Sequence, residues 1–287
     1  MTSREWFEKA QKVNFAIGAF NVDNLEIFKG ILMAAKNKNS PVMVEFSPGE
    51  AGYFGLKNIV DMVINAREEY KIPILLNLDH SKTVEDCRAA INQPGFDEVH
   101  FDGSSLDLEE NVKSAKEVVS AAHSKGIIVE GEMDRLGGSS EVHEEQVDEA
   151  VIRQSYSDPK KAARFVEETG IDIFAAVFGN VHGTFPTQPD LDMALLTQIK
   201  GVLPDTFISL HGGSGIPAEQ VKEAIKAGIV KVNINTELRI AYKDALVEKL
   251  GENPKEYKVY SFSPEISLAI SAVVENKIDI FGSAGKV

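Results

Sequence analysis

Runs of branched and aromatic residues alternate with amphipathic stretches along the whole chain. Eight runs read as strands: "NFAIGAFNV" (14–22), "PVMVEFS" (41–47), "IPILLNLDH" (72–80), "DEVHFDGS" (97–104), "GIIVEGEMD" (126–134), "IDIFAAVFGN" (171–180), "TFISLHG" (206–212) and "IVKVNINT" (229–236). They are apolar and rich in Val, Ile and Phe, as strands covered on both faces should be. Between them lie segments with helical spacing. "DNLEIFKGILMAAKN" opens on an Asp able to cap and repeats apolar residues at three and four. "DPKKAARFVEETG" has Asp158 as cap, Pro159 in the first turn and Gly170 as a stop. "LDLEENVKSAKEVVSAAHSKG" and "IPAEQVKEAIKAG" repeat the pattern. Eight βα units in this length predict a (β/α)8 barrel, one catalytic domain over 1–287. A doubly wound open sheet is the rival that pattern alone does not dismiss. The longest irregular segment, "LGGSSEVHEEQVDEAVIRQSYS" (136–157), follows the fifth strand and is expected to be a functional, mobile loop.

Composition narrows the function. With 287 residues, 43% hydrophobic and 26% charged, the chain matches a globular enzyme. A net charge of -14 argues against nucleic acid as partner. It leaves room for a small anion in a local pocket. The one cysteine, Cys87, forms no internal disulfide and fits a reducing compartment. No apolar run reaches spanning length, and "MTSREWFEKAQK" is unlike a secretory leader. The expected location is cytoplasmic, with no membrane partner.

Chemistry gathers at the strand ends. His80 ends the third strand, His182 follows the sixth in "FGNVHG", and His211 ends the seventh in "SLHGGSG". In a barrel these ends meet at one face. Three imidazoles there form a three-ligand metal site with room for substrate. Asp79, Asp102 and Glu132 join them as further ligands or proton carriers. His100, His123 and His143 read as structural or solvated. "HGGSG" (211–215) and "NINT" (233–236) each leave a strand and enter a helix, where backbone N–H groups favour an anion.

These residues resemble the class II, metal-dependent fructose-bisphosphate and tagatose-bisphosphate aldolases. The motifs "GAFNV", "LDHS", "EGEMDRLGG", "FGNVHG", "LHGGSG", "VNINTELR" and "FGSAGK" follow the family's order over nearly the whole chain. The resemblance implies a (β/α)8 barrel that is at least dimeric, a homodimer or homotetramer, holding Zn2+ or another divalent ion such as Co2+ or Fe2+. It implies His80, His182 and His211 as catalytic metal ligands and Asp79 as the acid serving the aldehyde-derived hydroxyl. Asp102 and Glu132 match positions holding a second metal in some members, where a monovalent cation is the alternative. Gly183, Gly212, Gly213, Ser214, Asn233, Ile234, Asn235 and Thr236 match the dihydroxyacetone phosphate site, and Ser47 a further contact.

Three features depart from the family pattern. The loop carboxylate normally comes two residues after the Gly pair, where Ser140 stands; Glu141 is the first acid, with Glu144 and Glu145 as further candidates. Pro186 lies near a position where many fructose-bisphosphate members have Lys. No Arg for a second phosphate is evident near "NPKEYKVYSFSPEIS", so Lys255 and Lys258 are the stand-ins, and loose aldehyde selection is expected. Fructose 1,6-bisphosphate is the first expected substrate, with tagatose 1,6-bisphosphate or a ketose 1-phosphate as alternatives. Two rival functions stand beside it. One is a Schiff-base aldolase using Lys231, which shares a strand face with Asn233. The other is a non-catalytic sugar-phosphate binder on the same fold.

Overall fold

The computed structural model describes all residues 1–287. Eight parallel strands close into a barrel: β1 (Ile17–Asn21), β2 (Val42–Phe46), β3 (Ile74–Ser81), β4 (Glu98–Asp102), β5 (Ile128–Glu132), β7 (Ile173–Ala175), β9 (Phe207–Leu210) and β10 (Ile229–Ile234). Their order around the barrel is β1-β10-β9-β7-β5-β4-β3-β2. Seven lie inside the predicted segments and β3 runs one residue past the end of its own, to Ser81, and closure of β1 on β10 removes the open-sheet alternative. Two further short strands, β6 (Gly138–Val142) and β8 (His182–Thr184), pair in parallel outside the barrel.

Twelve helices complete the chain: α1 (Ser3–Val13), α2 (Leu25–Lys38), α3 (Pro48–Phe54), α4 (Leu56–Tyr70), α5 (Val84–Ile91), α6 (Leu108–His123), α7 (Glu149–Gln154), α8 (Pro159–Thr169), α9 (Met193–Val202), α10 (Ala218–Lys226), α11 (Thr236–Glu252) and α12 (Val259–Phe281). Helix α8 starts and stops as its caps dictate, with Asp158 accepting from two backbone N–H groups and Gly170 in the left-handed conformation. Helix α2 differs from expectation. Its cap is Asn24, whose Oδ1 accepts from Ile27 N at 2.9 Å. Asp23 is thereby left free for another partner.

The main core lies between strands and helices, where outward strand residues meet the apolar faces of the helices. A smaller cluster fills the barrel's N-terminal end, plugged by Trp6, Phe7 and Ala10 of α1 against Met43, Leu75, Ile128 and Phe207. The C-terminal end is filled by polar groups instead, and there the candidate site lies.

Candidate active site and metal centre

Adjacent residues on a strand face opposite sides, yet Asp79 and His80 both line one pocket. The cause is a bulge. The β3–β4 register shifts between Leu78 and Ser81, and His80 adopts φ +50°, left-handed for a non-Gly residue. Such a conformation costs about 1–3 kcal/mol and persists only when its surroundings fix it. Here the His80 N–H donates to His100 Nδ1 at 3.1 Å. The bulge turns the second residue inward, so an acid and an imidazole stand side by side.

Histidines 80, 182 and 211 face one another. Ring centroids are 4.7 Å apart for His80–His211, 5.0 Å for His80–His182 and 6.3 Å for His182–His211. His80 Nε2 and His211 Nδ1 lie 3.0 Å apart. His211 Nε2 donates to Glu130 Oε1 at 2.8 Å, which leaves Nδ1 with its lone pair aimed into the pocket. Burial and the neighbouring imidazoles push His182 well below its usual value, and burial also lowers His211. Burial opposes charge on His80 as well, but Asp79, Asp102 and Glu132 outweigh it and raise His80. Imidazoles and carboxylates gathered in this way are a donor set that fits a divalent cation. Two grouped sets of ligand atoms occur, Asp79–His80–His100–His211 and His80–Asp102–Glu132, and His182, the expected third ligand, lines the same pocket but belongs to neither. Asp102 and Glu132 sit beside His80 Nδ1, at 3.5 and 3.4 Å, rather than in the pocket wall. Glu132 Oε2 lies 3.3 Å from His100 Nε2 as well as 3.4 Å from His80 Nδ1, so this carboxylate joins the two histidines.

Asp79 is 3% exposed and held by two amides. Asn21 Nδ2 donates to its Oδ2 at 3.2 Å and Asn233 Nδ2 to its Oδ1 at 3.5 Å. Burial opposes its charge, but His80, His100 and His211 outweigh burial and hold the carboxyl far below its ordinary value. His100, expected to be structural, braces the His80 kink through Nδ1 and packs against Asp79, with Nδ1 3.3 Å from Oδ1. Its signal was its position two residues before Asp102, on the same face of β4.

The pocket, about 630 Å³, has no hydrophobic lining residue among its 14. Ser47, Gly183, Gly212, Ser214, Asn233, Asn235 and Thr236 line it as expected. Gly212 has φ +64°, and a Cβ there would meet Val181 O at 2.1 Å, so only glycine fits. The N-terminus of α11 opens at Asn235 without a cap from the Asn235 side chain, and its positive end faces the pocket at Thr236, although Glu237 N–H already donates to Ser214 Oγ at 3.3 Å. Gly213 and Ile234 do not reach the pocket. Gly213 N–H donates to Asn233 O at 3.0 Å, and Ile234 is buried in the core.

The segment 136–157 is less irregular than its sequence suggests, since it holds β6 and α7. β6 pairs with β8 through backbone alone and its side chains are mostly exposed, so it shows no apolar signature. Ser140 lines the pocket, whereas Glu141 is exposed and accepts from Ser139 Oγ at 3.2 Å. Glu144 and Glu145 are exposed and absent from the pocket lining.

Lys231 is wholly buried between Glu98 and Glu130, 2.5 Å from each, with Glu45 at 3.7 Å. Burial opposes its charge, yet the three carboxylates hold its ammonium well above the usual value. It does not line the pocket. A Schiff base needs a neutral, accessible amine, and this lysine is neither.

The expected shortage of a second cation at the pocket is corrected by Arg239, which lines it. Lys255 and Lys258 are exposed and play no part in the lining. The signal was spacing: Arg239 follows Thr236 by three residues, one helical turn, and so shares its face.

Comparison with known proteins agrees with this geometry. The family model described as "Fructose-bisphosphate aldolase class-II" matches residues 1–286. The fructose-bisphosphate aldolase of Geobacillus stearothermophilus is 38% identical, covering 100% of this chain and 98% of its own. That of Streptococcus pneumoniae (strain ATCC BAA-334 / TIGR4) is 41% identical, covering 100% and 99%. The crystal structure of the YdjI aldolase from Escherichia coli K12 superposes with a TM-score of 0.82 at 31% identity, covering 100% of this chain and 98% of that one.

Proposed function

The chain belongs to the class II fructose-bisphosphate aldolase family, and from that premise we propose that it reversibly cleaves fructose 1,6-bisphosphate to dihydroxyacetone phosphate and an aldehyde. The observation that carries the proposal is the bulge that brings Asp79 and His80 into one pocket with His182 and His211. His80, His182 and His211, which line one pocket, would hold Zn2+, and Asp102 with Glu132 beside His80 would offer a second cation position. When bound, a divalent cation supplies Lewis-acid polarisation of the ketone.

Gly183, Gly212, Ser214, Asn235 and Thr236 receive the 1-phosphate on backbone N–H groups and hydroxyls, which orients the sugar along the pocket. Asp79 takes the hydroxyl proton as the carbon–carbon bond breaks and returns it in synthesis. Asn21 and Asn233 hold its carboxylate in line for that transfer. Glu141 serves the C3 proton after a movement of the loop 136–157, since it now points to solvent. Ser47 and Arg239 meet the aldehyde end. In this reading residues 1–287 act as one catalytic barrel, working in the cytoplasm as a homo-oligomer. No helix is long and apolar enough to cross a membrane.

The test is cleavage of fructose 1,6-bisphosphate by zinc-loaded protein, followed by NADH-coupled detection of dihydroxyacetone phosphate. Turnover that disappears in Asp79→Ala supports the proposal. Binding of dihydroxyacetone phosphate with neither cleavage nor exchange of its C3 proton makes the chain a sugar-phosphate binder instead.

A further inference from the structure

Arg239 lines the pocket and is tied through Glu50 to Ser47, the side that the proposed reading gives to the aldehyde, and it is already occupied. A guanidinium has five N–H donors. Four of Arg239's are taken: Nε donates to Asp23 Oδ2 at 2.7 Å, Nη2 to Asp23 Oδ1 and to Glu50 Oε1 at 3.0 Å each, and Nη1 to the Ser140 carbonyl at 3.2 Å. The pair with Asp23 is the two-pronged geometry that a phosphate would otherwise use. Glu50 is fixed in turn, since its Oε2 accepts from Ser47 N at 2.6 Å in the capping box that starts α3. Asp23 is available because Asn24, not Asp23, caps α2.

A phosphate at this edge meets one free N–H, the Asp23 carboxylate and the Glu50 carboxyl group, both of them in contact with the guanidinium. A sugar hydroxyl meets the same groups with advantage, because it accepts from the N–H and donates to a carboxylate. We propose that Asp23 and Glu50 set the aldehyde end of the pocket for hydroxyls rather than for a second phosphate. Ketose 1-phosphates that release an unphosphorylated polyhydroxy aldehyde are then cleaved about as well as the 1,6-bisphosphate. The inference rests on the aldolase reading above. The charge balance agrees with it. Burial pushes Glu50 up to about 8, whereas for Asp23 the same burial is outweighed by Arg239. At neutral pH one carboxylate charge thus balances one guanidinium.

The experiment compares kcat/KM for fructose 1,6-bisphosphate with that for fructose 1-phosphate in the zinc-loaded parent, Asp23→Asn and Glu50→Gln. The parent ratio is expected to be below about tenfold. Asp23→Asn removes the charge that balances the guanidinium and gives the distal phosphate a charge-assisted bond, so it raises the ratio by about tenfold or more, chiefly through KM for the bisphosphate, whereas Glu50→Gln, uncharged and still an acceptor, leaves the ratio near that of the parent. Loss of fold alone lowers both rates and leaves their ratio in place. A parent preference for the bisphosphate of about a thousandfold overturns the inference, as does a low parent ratio that Asp23→Asn does not raise. A parent that binds dihydroxyacetone phosphate but cleaves neither sugar overturns the aldolase reading, and this inference with it.

Discussion

Replacing Glu130 by Gln tests how the barrel interior prepares the metal site. Glu130 lies beneath the pocket and is wholly buried. Its Oε1 accepts from His211 Nε2 at 2.8 Å and also from Ser209 Oγ, while its Oε2 meets Lys231 at 2.5 Å. Burial opposes its charge, but Lys231, His100 and His211 outweigh burial and hold the carboxyl well below its usual value. The anion therefore fixes the His211 tautomer with Nδ1 free. Glutamine keeps the shape, removes the charge and offers an amide that can face His211 with the wrong polarity. Loss of such a carboxylate–imidazole support weakens metal binding by about 10–100-fold, or about 1.4–2.7 kcal/mol. Lys231 keeps Glu98 and Glu45, so the variant folds. The assay is competition for Zn2+ with a chromophoric chelator, at matched temperature and pH. Ser209→Ala serves as the comparison, because it removes a second donor from Glu130 without touching the imidazole. A zinc affinity in Glu130→Gln within about twofold of the parent would refute the reasoning, because the loss of support would then be negligible.

Asp79→Ala should retain zinc but lose about 10²–10⁴-fold in turnover, the usual contribution of a positioned proton carrier; bound metal and kcat are measured on the same sample. Lys231→Met leaves Glu45, Glu98 and Glu130 buried without their cation. It should lower unfolding stability by about 3–5 kcal/mol in a denaturant titration, and an unchanged midpoint would contradict the ionic account of the barrel floor. Glu141→Ala should slow C3 proton exchange by about 10² or more while the affinity for dihydroxyacetone phosphate stays near that of the parent; loss in Glu144→Ala or Glu145→Ala instead moves the role along the loop.

The barrel was legible because its strands are buried on both faces and so keep long branched runs. "IPILLNLDH" and "IVKVNINT" show this most plainly, and both became barrel strands. The strand-end histidines were legible because the topology sends every carboxyl end to one rim. Three things were hidden. β6 and β8 pair over exposed polar residues, which carry no periodic apolar signal. The bulge at His80 depends on a hydrogen bond to His100, twenty residues away, and no local pattern encodes it. Arg239 was overlooked because its partners Asp23 and Glu50 are distant in the chain and Asp23 reads as a helix cap. Each of these is a tertiary contact between residues that look ordinary in their own neighbourhoods.

If His80, His182 and His211 together hold the ion on which cleavage depends, activity and bound metal rise and fall together. Both are followed for fructose 1,6-bisphosphate cleavage through removal of metal by chelator and stepwise return of Zn2+, in the parent and in His182→Ala. Parent activity should vanish on removal and return in proportion to bound zinc. His182→Ala should bind zinc weakly and stay inactive at every step. Full activity in the metal-free parent, with a borohydride-trapped adduct at Lys231, would contradict that dependence.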